Sequence, residues 1–322
     1  MNAPDDGGYG VVTLTVNPAI DISTSTPHMA PYHKLRCAEP KRDPGGGGIN
    51  VARVIVRFGA PATAIFPCGG ATGQLLRRLV TQAGIEIMSV PISGDTREDF
   101  TVTEEESGRQ FRFVLPGPAL TANECQTLFD AVENHKPAPR YIVASGSLPV
   151  GVPAGFFAEI ARIASSKGAK MVLDSSGPAL AEALSQPLYL IKPNLREFGE
   201  LIGRPLESEN DCLTAGRQLI RERGVTIVAL TMGEEGAMLI TRDCAWRGRA
   251  PKMTPVSTVG TGDSFLGAMV WRLSQDDDLE DALRFAIAGG SAALLAAGTE
   301  LCRRGDVEQL LRDIQITEMY AD

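Results

Sequence analysis

The stretch Ser257-Thr258-Val259-Gly260-Thr261-Gly262-Asp263-Ser264-Phe265 runs directly into Leu266-Gly267-Ala268-Met269-Val270-Trp271, an apolar run at helical spacing. Two glycines flank a threonine and an aspartate follows, so the pattern predicts a tight turn opening a helix, with Asp263 in its first turn. The first N–H groups of a helix have no partners inside it, and the helix dipole adds partial positive charge at that end. Such a turn can hold a phosphate, and Gly260 and Gly262 let a ligand approach the backbone because no Cβ intervenes. A carboxylate beside an anion hole suits the removal of a hydroxyl proton next to a transferring phosphoryl group. The same residues also suit a plain helix start, with Asp263 as a cap, and the stretch alone leaves both readings open.

A second glycine run, Pro44-Gly45-Gly46-Gly47-Gly48-Ile49-Asn50, precedes a helix with Val51, Val54, Ile55 and Phe58 on one face. Four consecutive glycines are costly to order, which favours close approach to a sugar or phosphate over a simple loop. Asp21 follows the break at Asn17-Pro18, either as a ligand group beyond a strand end or as an ordinary turn aspartate. Arg97 is either an anion clamp or a solvated side chain. His28, His33 and His135 have no metal-ligand spacing, and the six cysteines contain no Cys-x-x-Cys pair. A zinc site, a disulfide frame and a histidine triad are therefore disfavoured, and an aspartate base gains weight.

The elements that must position these residues follow an alternating rhythm. Val11 to Val16 forms a first strand, and His33 to Ala38 a short strand bearing Lys34 and Arg36. Ala62 to Pro67 and Ile85 to Val90 are strands around a helix from Leu75 to Gln82. Phe100–Glu104 and Gln110–Leu115 then alternate as a hairpin, a small β element apart from the core. From residue 121, strands at 141–144, 171–173, 188–191 and 225–230 alternate with helices near 121–135, 153–167, 195–202 and 209–223. A hairpin at 236–240 and 244–247 follows, then the helix after Asp263 and an Ala-rich one at 279–297. This is a parallel α/β sheet with helical crossovers, whose strand tips line one cleft. No linker divides the chain, so one domain spans 1–322.

The 322 residues carry 31 basic and 39 acidic side chains, a net charge of −8, without a basic tract. That disfavours nucleic acid as a partner. The acidic start resembles no signal peptide and is expected to fray, and the longest uncharged apolar stretch is too short to cross a bilayer. A soluble cytoplasmic protein is expected, with no membrane partner. No Gly-Lys dipeptide provides a Walker A loop, no protein-kinase signature occurs, and Gly260 to Gly267 does not match Gly-x-Gly-x-x-Gly.

Asn50 after Gly45–Gly48, Lys192-Pro193-Asn194 with Glu197, and Gly260-Thr261-Gly262-Asp263 together resemble the ribokinase-like PfkB sugar-kinase family across essentially the whole chain. Lys34-Leu35-Arg36-Cys37, Asp174-Ser175-Ser176-Gly177 and Gly298-Thr299-Glu300-Leu301-Cys302 are similar to the family's 6-phosphofructokinase branch. The resemblance implies a three-layer sandwich with a mostly parallel central sheet and a small β-sheet lid, formed by segments near 18–40 and 95–115. It implies transfer of the ATP γ-phosphoryl group to the 1-hydroxyl of fructose 6-phosphate, with Asp263 as base and Gly260, Thr261 and Gly262 as the anion hole. Asp21, Gly45, Gly46 and Asn50 would hold the sugar, Arg36 and Arg97 its 6-phosphate, and Ser147 would add a contact. Lys192, Asn194, Thr231 and Gly233 would face ATP. Asn194 and Glu197 would position Mg²⁺ through water, and carbonyls of Ser257, Val259, Ala293, Ala296 and Gly298 would hold K⁺. The lid strands imply a homodimer. The alternatives are a 1-phosphofructokinase or tagatose-6-phosphate kinase, to which Leu14–Asp21 is similar although those branches carry lysine in place of Gly47, and a non-catalytic sugar-phosphate sensor.

Overall fold

The computed structural model describes residues 10–320 except residue 297. The start expected to fray, up to residue 9, and the last residue of the expected 279–297 helix lie outside the described residues.

In chain order the elements are β1 (Val11–Leu14), β2 (Ala19–Thr26), β3 (Lys41–Gly45), α1 (Gly47–Arg57), β4 (Ala62–Cys68), α2 (Gly70–Gln82), β5 (Glu86–Pro91), β6 (Arg97–Glu104), β7 (Gln110–Phe113) and α3 (Ala122–Asn134). They continue with β8 (Tyr141–Ser145), α4 (Phe156–Ser166), β9 (Lys170–Asp174), α5 (Gly177–Ala183), β10 (Leu188–Ile191), α6 (Leu195–Ile202), α7 (Glu209–Glu222) and β11 (Val225–Thr231). The last are β12 (Ala237–Ile240), β13 (Ala245–Gly248), α8 (Thr261–Ser274), α9 (Leu279–Ala293), α10 (Arg304–Leu310) and β14 (Ile316–Glu318).

The large sheet runs β14-β13-β12-β11-β10-β9-β8-β1-β4-β5. Strands β5, β4, β1, β8, β9, β10 and β11 pair in parallel in that order, and β12, β13 and β14 add antiparallel pairs at one edge. Alternate residues of its strands enter two separate cores. Val11, Val143 and Val172 pack with Val51 of α1, Leu266 of α8 and Ala286 of α9. Val12, Ile142 and Met171 pack with Leu128 of α3, Ile160 of α4 and Leu213 of α7. Helices thus cover both faces, which is why these strands read as mostly apolar runs rather than as a strict apolar–polar alternation. From β1 the chain builds outward through β4 to β5 on one side and from β8 to β11 on the other. That reversal opens a crevice at the carboxyl ends of β1 and β8.

A separate four-stranded sheet runs β3-β2-β6-β7. Its register sets Asp21 opposite both Asp43 and Asp99, so three carboxylates share one face on neighbouring strands.

The hairpin, the crossover strands and α6 stand where the sequence puts them. Within the segment near 18–40, residues 19–26 form β2, which pairs in parallel with β6 over eight register positions. The Ser/Thr-rich alternation there becomes a strand only with that distant partner. His33–Ala38 is not a strand but exposed chain, tied to β2 at Ala38 by two hydrogen bonds. The strand lies later, at β3, and takes in Pro44 and Gly45 of the expected glycine turn. Helix α2 begins at Gly70, five residues before the apolar periodicity starts, and α9 ends at Ala293. Helices α5 and α10 and strand β14 had no counterpart in the sequence reading. Among the described residues no helix is long and apolar enough to cross a membrane.

Candidate active site

Helices α1 and α8 meet at their first turns. Their N-caps are Gly46 (φ 111°) and Gly260 (φ 75°), positive values that glycine adopts readily, and neither end has a side-chain cap. By contrast, Thr121, Asn194, Ser208 and Asp278 cap α3, α6, α7 and α9. The first amides of α8 are therefore left to an external acceptor. The two helices pack closely because of Gly267: a Cβ there would lie 2.7 Å from the Val54 Cβ. This contact lets the Asn50 Nδ2 of α1 donate to Asp263 Oδ2 of α8 at 2.8 Å.

Asp263 is part-buried. Burial first, and then the neighbouring Asp174 carboxylate, push its pKa up to about 6, against the Asn50 hydrogen bond and the charges of Lys192 and Arg112. The Lys192 Nζ lies 3.0 Å from Asp174 Oδ1, and Ser145 Oγ donates to Asp174 Oδ2 at 3.1 Å. A Cβ on Gly262 would come within 3.5 Å of the Lys192 Nζ. Burial works against the lysine charge, but Asp174, Asp263 and Glu197 outweigh it and hold the ammonium above its ordinary value. A cation thus sits beneath the start of α8, beside the free amides.

On the other side, Asp21 of β2 is 7% exposed. Burial first, then Asp99 beside it, push its carboxyl up to about 6, while Arg112 and Arg53 act in the opposite direction. A Cβ on Gly45 would fall 2.4 Å from this carboxyl group, so glycine is required there for Asp21 to stand over the turn. A carboxylate with a pKa near neutrality, uncapped helix amides and a buried ammonium together form a site that can deprotonate a hydroxyl beside an anionic group.

A family model described as pfkB family carbohydrate kinase matches residues 11–304. The chain belongs to this family. It is 41% identical to the ATP-dependent 6-phosphofructokinase isozyme 2 of Mycobacterium tuberculosis over 95% of this chain and 90% of the relative. It superposes with a TM-score of 0.90 and 38% identity on the phosphofructokinase-2 of Escherichia coli in complex with potassium, covering 94% of this chain and 98% of that one. It is also 30% identical to the 1-phosphofructokinase of Borreliella burgdorferi, over 96% of this chain and 99% of the relative.

In this pfkB-family chain, Asp21, Gly45, Gly46, Asn50, Lys192, Gly260, Thr261, Gly262 and Asp263 lie around one crevice. Arg97 is placed beside it but engaged: its guanidinium donates to both Asp99 oxygens at 3.0 and 2.8 Å, to Leu115 O and to Asn17 O. Its Nε is buried without a partner. The Asn17 amide in turn donates to Ser147 Oγ at 3.2 Å. Arg36 stands apart, exposed between β2 and β3, and has no hydrogen bond or ion pair among the described residues. Asn194 and Glu197 cap α6 reciprocally, each side chain accepting the other's N–H at 2.9 Å. Thr231 N donates to Pro193 O at 3.0 Å, and Gly233 follows in an exposed turn. Ser257 Oγ donates to Gly298 O at 2.9 Å, and Val256 N donates to Leu294 O at 2.8 Å. The segments carrying the carbonyls of Ser257, Val259, Ala293, Ala296 and Gly298 therefore lie side by side.

Three further residues join the site that residue type and spacing do not single out. Asp174 is a strand tip in the sequence; its pairing with Lys192 arises because β9 and β10 are parallel neighbours in register. Arg112 pairs with Thr101 on β6, two residues from Asp99 and so on the same face, a relation readable from the hairpin alternation. Arg53 lies one turn beyond Asn50, and its helical spacing alone does not set it apart from a surface arginine. A cavity of about 430 Å³ lined by Arg140, Tyr141, Lys170 and Tyr189 opens at the start of β8, β9 and β10, the far end of the sheet from the crevice.

Proposed function

We propose that this pfkB-family kinase transfers the γ-phosphoryl group of ATP to the 1-hydroxyl of fructose 6-phosphate. The observation that carries the reading is Asp263 at the uncapped start of α8, held by Asn50 and bearing a pKa of about 6. Asp263 takes the hydroxyl proton as the bond to phosphorus forms. The amides from Gly260 to Asp263 receive the charge on the moving phosphoryl group, and Lys192 adds a positive charge below them. Asp21, with the backbone of Gly45 and Gly46, orients the sugar hydroxyls.

Arg112 is an exposed cation whose charge bears on both Asp21 and Asp263, which suits it to the sugar phosphate. Arg97 would reach that phosphate by exchange from Asp99, and otherwise positions Asn17 and Ser147. Arg36 would join only when the small sheet or a second copy of the chain brings it in. Asn194, Thr231 and Gly233 would line the nucleotide side.

The carboxylates of Asp174 and Glu197, both near Lys192, would suit Mg²⁺, a hard cation that keeps several waters. Glu197 Oε2 is committed to its cap, so a water-mediated contact fits better than direct ligation. When bound with ATP, the ion would offset the charge on its phosphates. Carbonyls of Ser257, Val259, Ala293, Ala296 and Gly298 would hold K⁺, a reading supported by the potassium complex of the Escherichia coli relative. The small sheet acts as a lid within one kinase domain, and β7, followed by the exposed Val114 and Leu115, is the edge through which a cytoplasmic homodimer would form.

A 1-phosphofructokinase is the second reading, favoured by the Leu14–Asp21 pattern and the Borreliella burgdorferi relative. Against it, a Cβ on Gly47 would lie 2.1 Å from Ser145 Oγ, so no lysine fits at that position without a backbone shift. Comparing kcat/KM for fructose 6-phosphate, fructose 1-phosphate and tagatose 6-phosphate with Mg-ATP and K⁺ tests the proposal. Preference for fructose 6-phosphate supports it, preference for fructose 1-phosphate replaces it with the second reading, and ATP binding without turnover points to a sensor.

A further inference from the structure

Arg53 has no place in the reaction described above, yet it is a 5% exposed arginine one helical turn from Asn50. Its NH1 donates to Asn50 Oδ1 at 3.0 Å and to the Pro44 carbonyl at 3.0 Å. Its NH2 faces Asp43 Oδ1 at 3.4 Å, and Asp43 Oδ2 is held by the Thr299 hydroxyl at 2.9 Å. The guanidinium is thus fixed by contacts from β3 and, through Asp43, from the segment after α9.

The consequence falls on an amide that has two possible orientations. The side chain of Asn50 can present either its NH₂ or its oxygen to Asp263. With Oδ1 taken by Arg53, only the NH₂ is left to face the carboxylate. We propose that Arg53 is a positioning residue for phosphoryl transfer: it locks the Asn50 amide with its donor towards Asp263 and so holds the base in place. The inference rests on the reading of Asp263 as base and deepens it.

Without the lock, the amide can turn its oxygen towards Asp263. That orientation is repulsive to a carboxylate and acceptable only to the protonated acid. Loss of Arg53 therefore favours protonated Asp263 and loosens its aim. Lysine keeps the charge but not the planar fork that reaches Asn50 Oδ1 and Pro44 O together. The other groups bearing on Asp263 are Asp174 at the end of β9, Lys192 after β10, Arg112 on β7 and Asp21 on β2, and all are unchanged in this variant.

The test is the pH dependence of kcat for Arg53→Lys, with Asn50→Ala, the double variant and Asp263→Asn measured in parallel at saturating fructose 6-phosphate and Mg-ATP. We expect Arg53→Lys to lower kcat about 10- to 100-fold and to move the acid limb upward by about half to one pH unit. KM for ATP should stay within about twofold, and in the Asn50→Ala background Arg53→Lys should cost little more. An acid limb unchanged from wild type, with kcat lowered only in proportion to the folded fraction, would overturn the inference. So would a full additional loss in the Asn50→Ala background, since Arg53 would then act independently of the amide. Loss of turnover in Asp263→Asn with a silent Arg53→Lys removes this inference alone, whereas near-full turnover in Asp263→Asn removes the base assignment and the inference with it.

Discussion

Replacing Asp263 by asparagine should damage the enzyme and stabilise the fold at the same time. Burial and Asp174 raise this carboxyl from 3.8 to about 6, so the native state holds the ionised form at a disadvantage relative to the unfolded chain. That difference corresponds to about 3 kcal/mol, and because the carboxylate is part-open to the crevice this figure is a ceiling. The sign follows from the two protonation ranges. Above the native value of about 6 the group is ionised in both states and the full penalty applies. As pH falls through 6 towards 3.8 the native group takes up its proton first, and the penalty fades. Asparagine keeps an acceptor for Asn50 Nδ2 and carries no charge, so its advantage should be largest near pH 8 and about half as large near pH 5. In a chain of this size each kcal/mol moves Tm by about 2 °C, so a rise of a few degrees is expected at pH 8. Calorimetry of ligand-free wild type and Asp263→Asn at both pH values measures it, while kcat should fall by about 10²- to 10⁴-fold. A variant less stable than wild type at pH 8, or one with the same Tm difference at both pH values, would refute the electrostatic reasoning.

The same carboxyls shape the rate profile. With Asp263 and Asp21 both near 6, log kcat/KM should fall with a slope between about one and two below that pH, and a flat profile down to pH 5 would exclude a base that titrates near 6. Gly267→Ala sets a methyl group 2.7 Å from the Val54 Cβ and forces α1 and α8 apart. Denaturant titration should show a loss of about 1–3 kcal/mol together with a reduced kcat, and unchanged stability would mean that the helices yield freely. Lys192→Met leaves Asp174 without its cation, at a cost near the lower end of about 3–5 kcal/mol because Asp174 is part-exposed. KM for ATP should rise as well, and kinetics matching wild type would remove Lys192 from the nucleotide site.

Local chemistry made much of this molecule legible before any coordinates. The apolar runs at 188–191 and 225–230 read as strands of a parallel sheet and are strands, and the helix from Leu195 to Ile202 stands where its pattern puts it. Gly260 and Gly262 before Asp263 pointed to a turn opening a helix, and only the fold decided that no side chain caps it. What the sequence could not reveal depends on partners distant along the chain. Residues 19–26 carry weak strand character, and only pairing with β6 makes them a strand and turns Asp21 from a turn residue into a buried carboxylate beside Asp99. Arg97 looked free, and the fold commits it to Asp99, Asn17 and Leu115. Arg53 looked like any helix arginine until β3 and the chain after α9 closed over it. Residue types and their spacing determine which groups are present at the sheet ends. Burial, register and the approach of α1 to α8 determine their charge and aim, because desolvation and hydrogen bonding depend on neighbours that only the folded chain brings together.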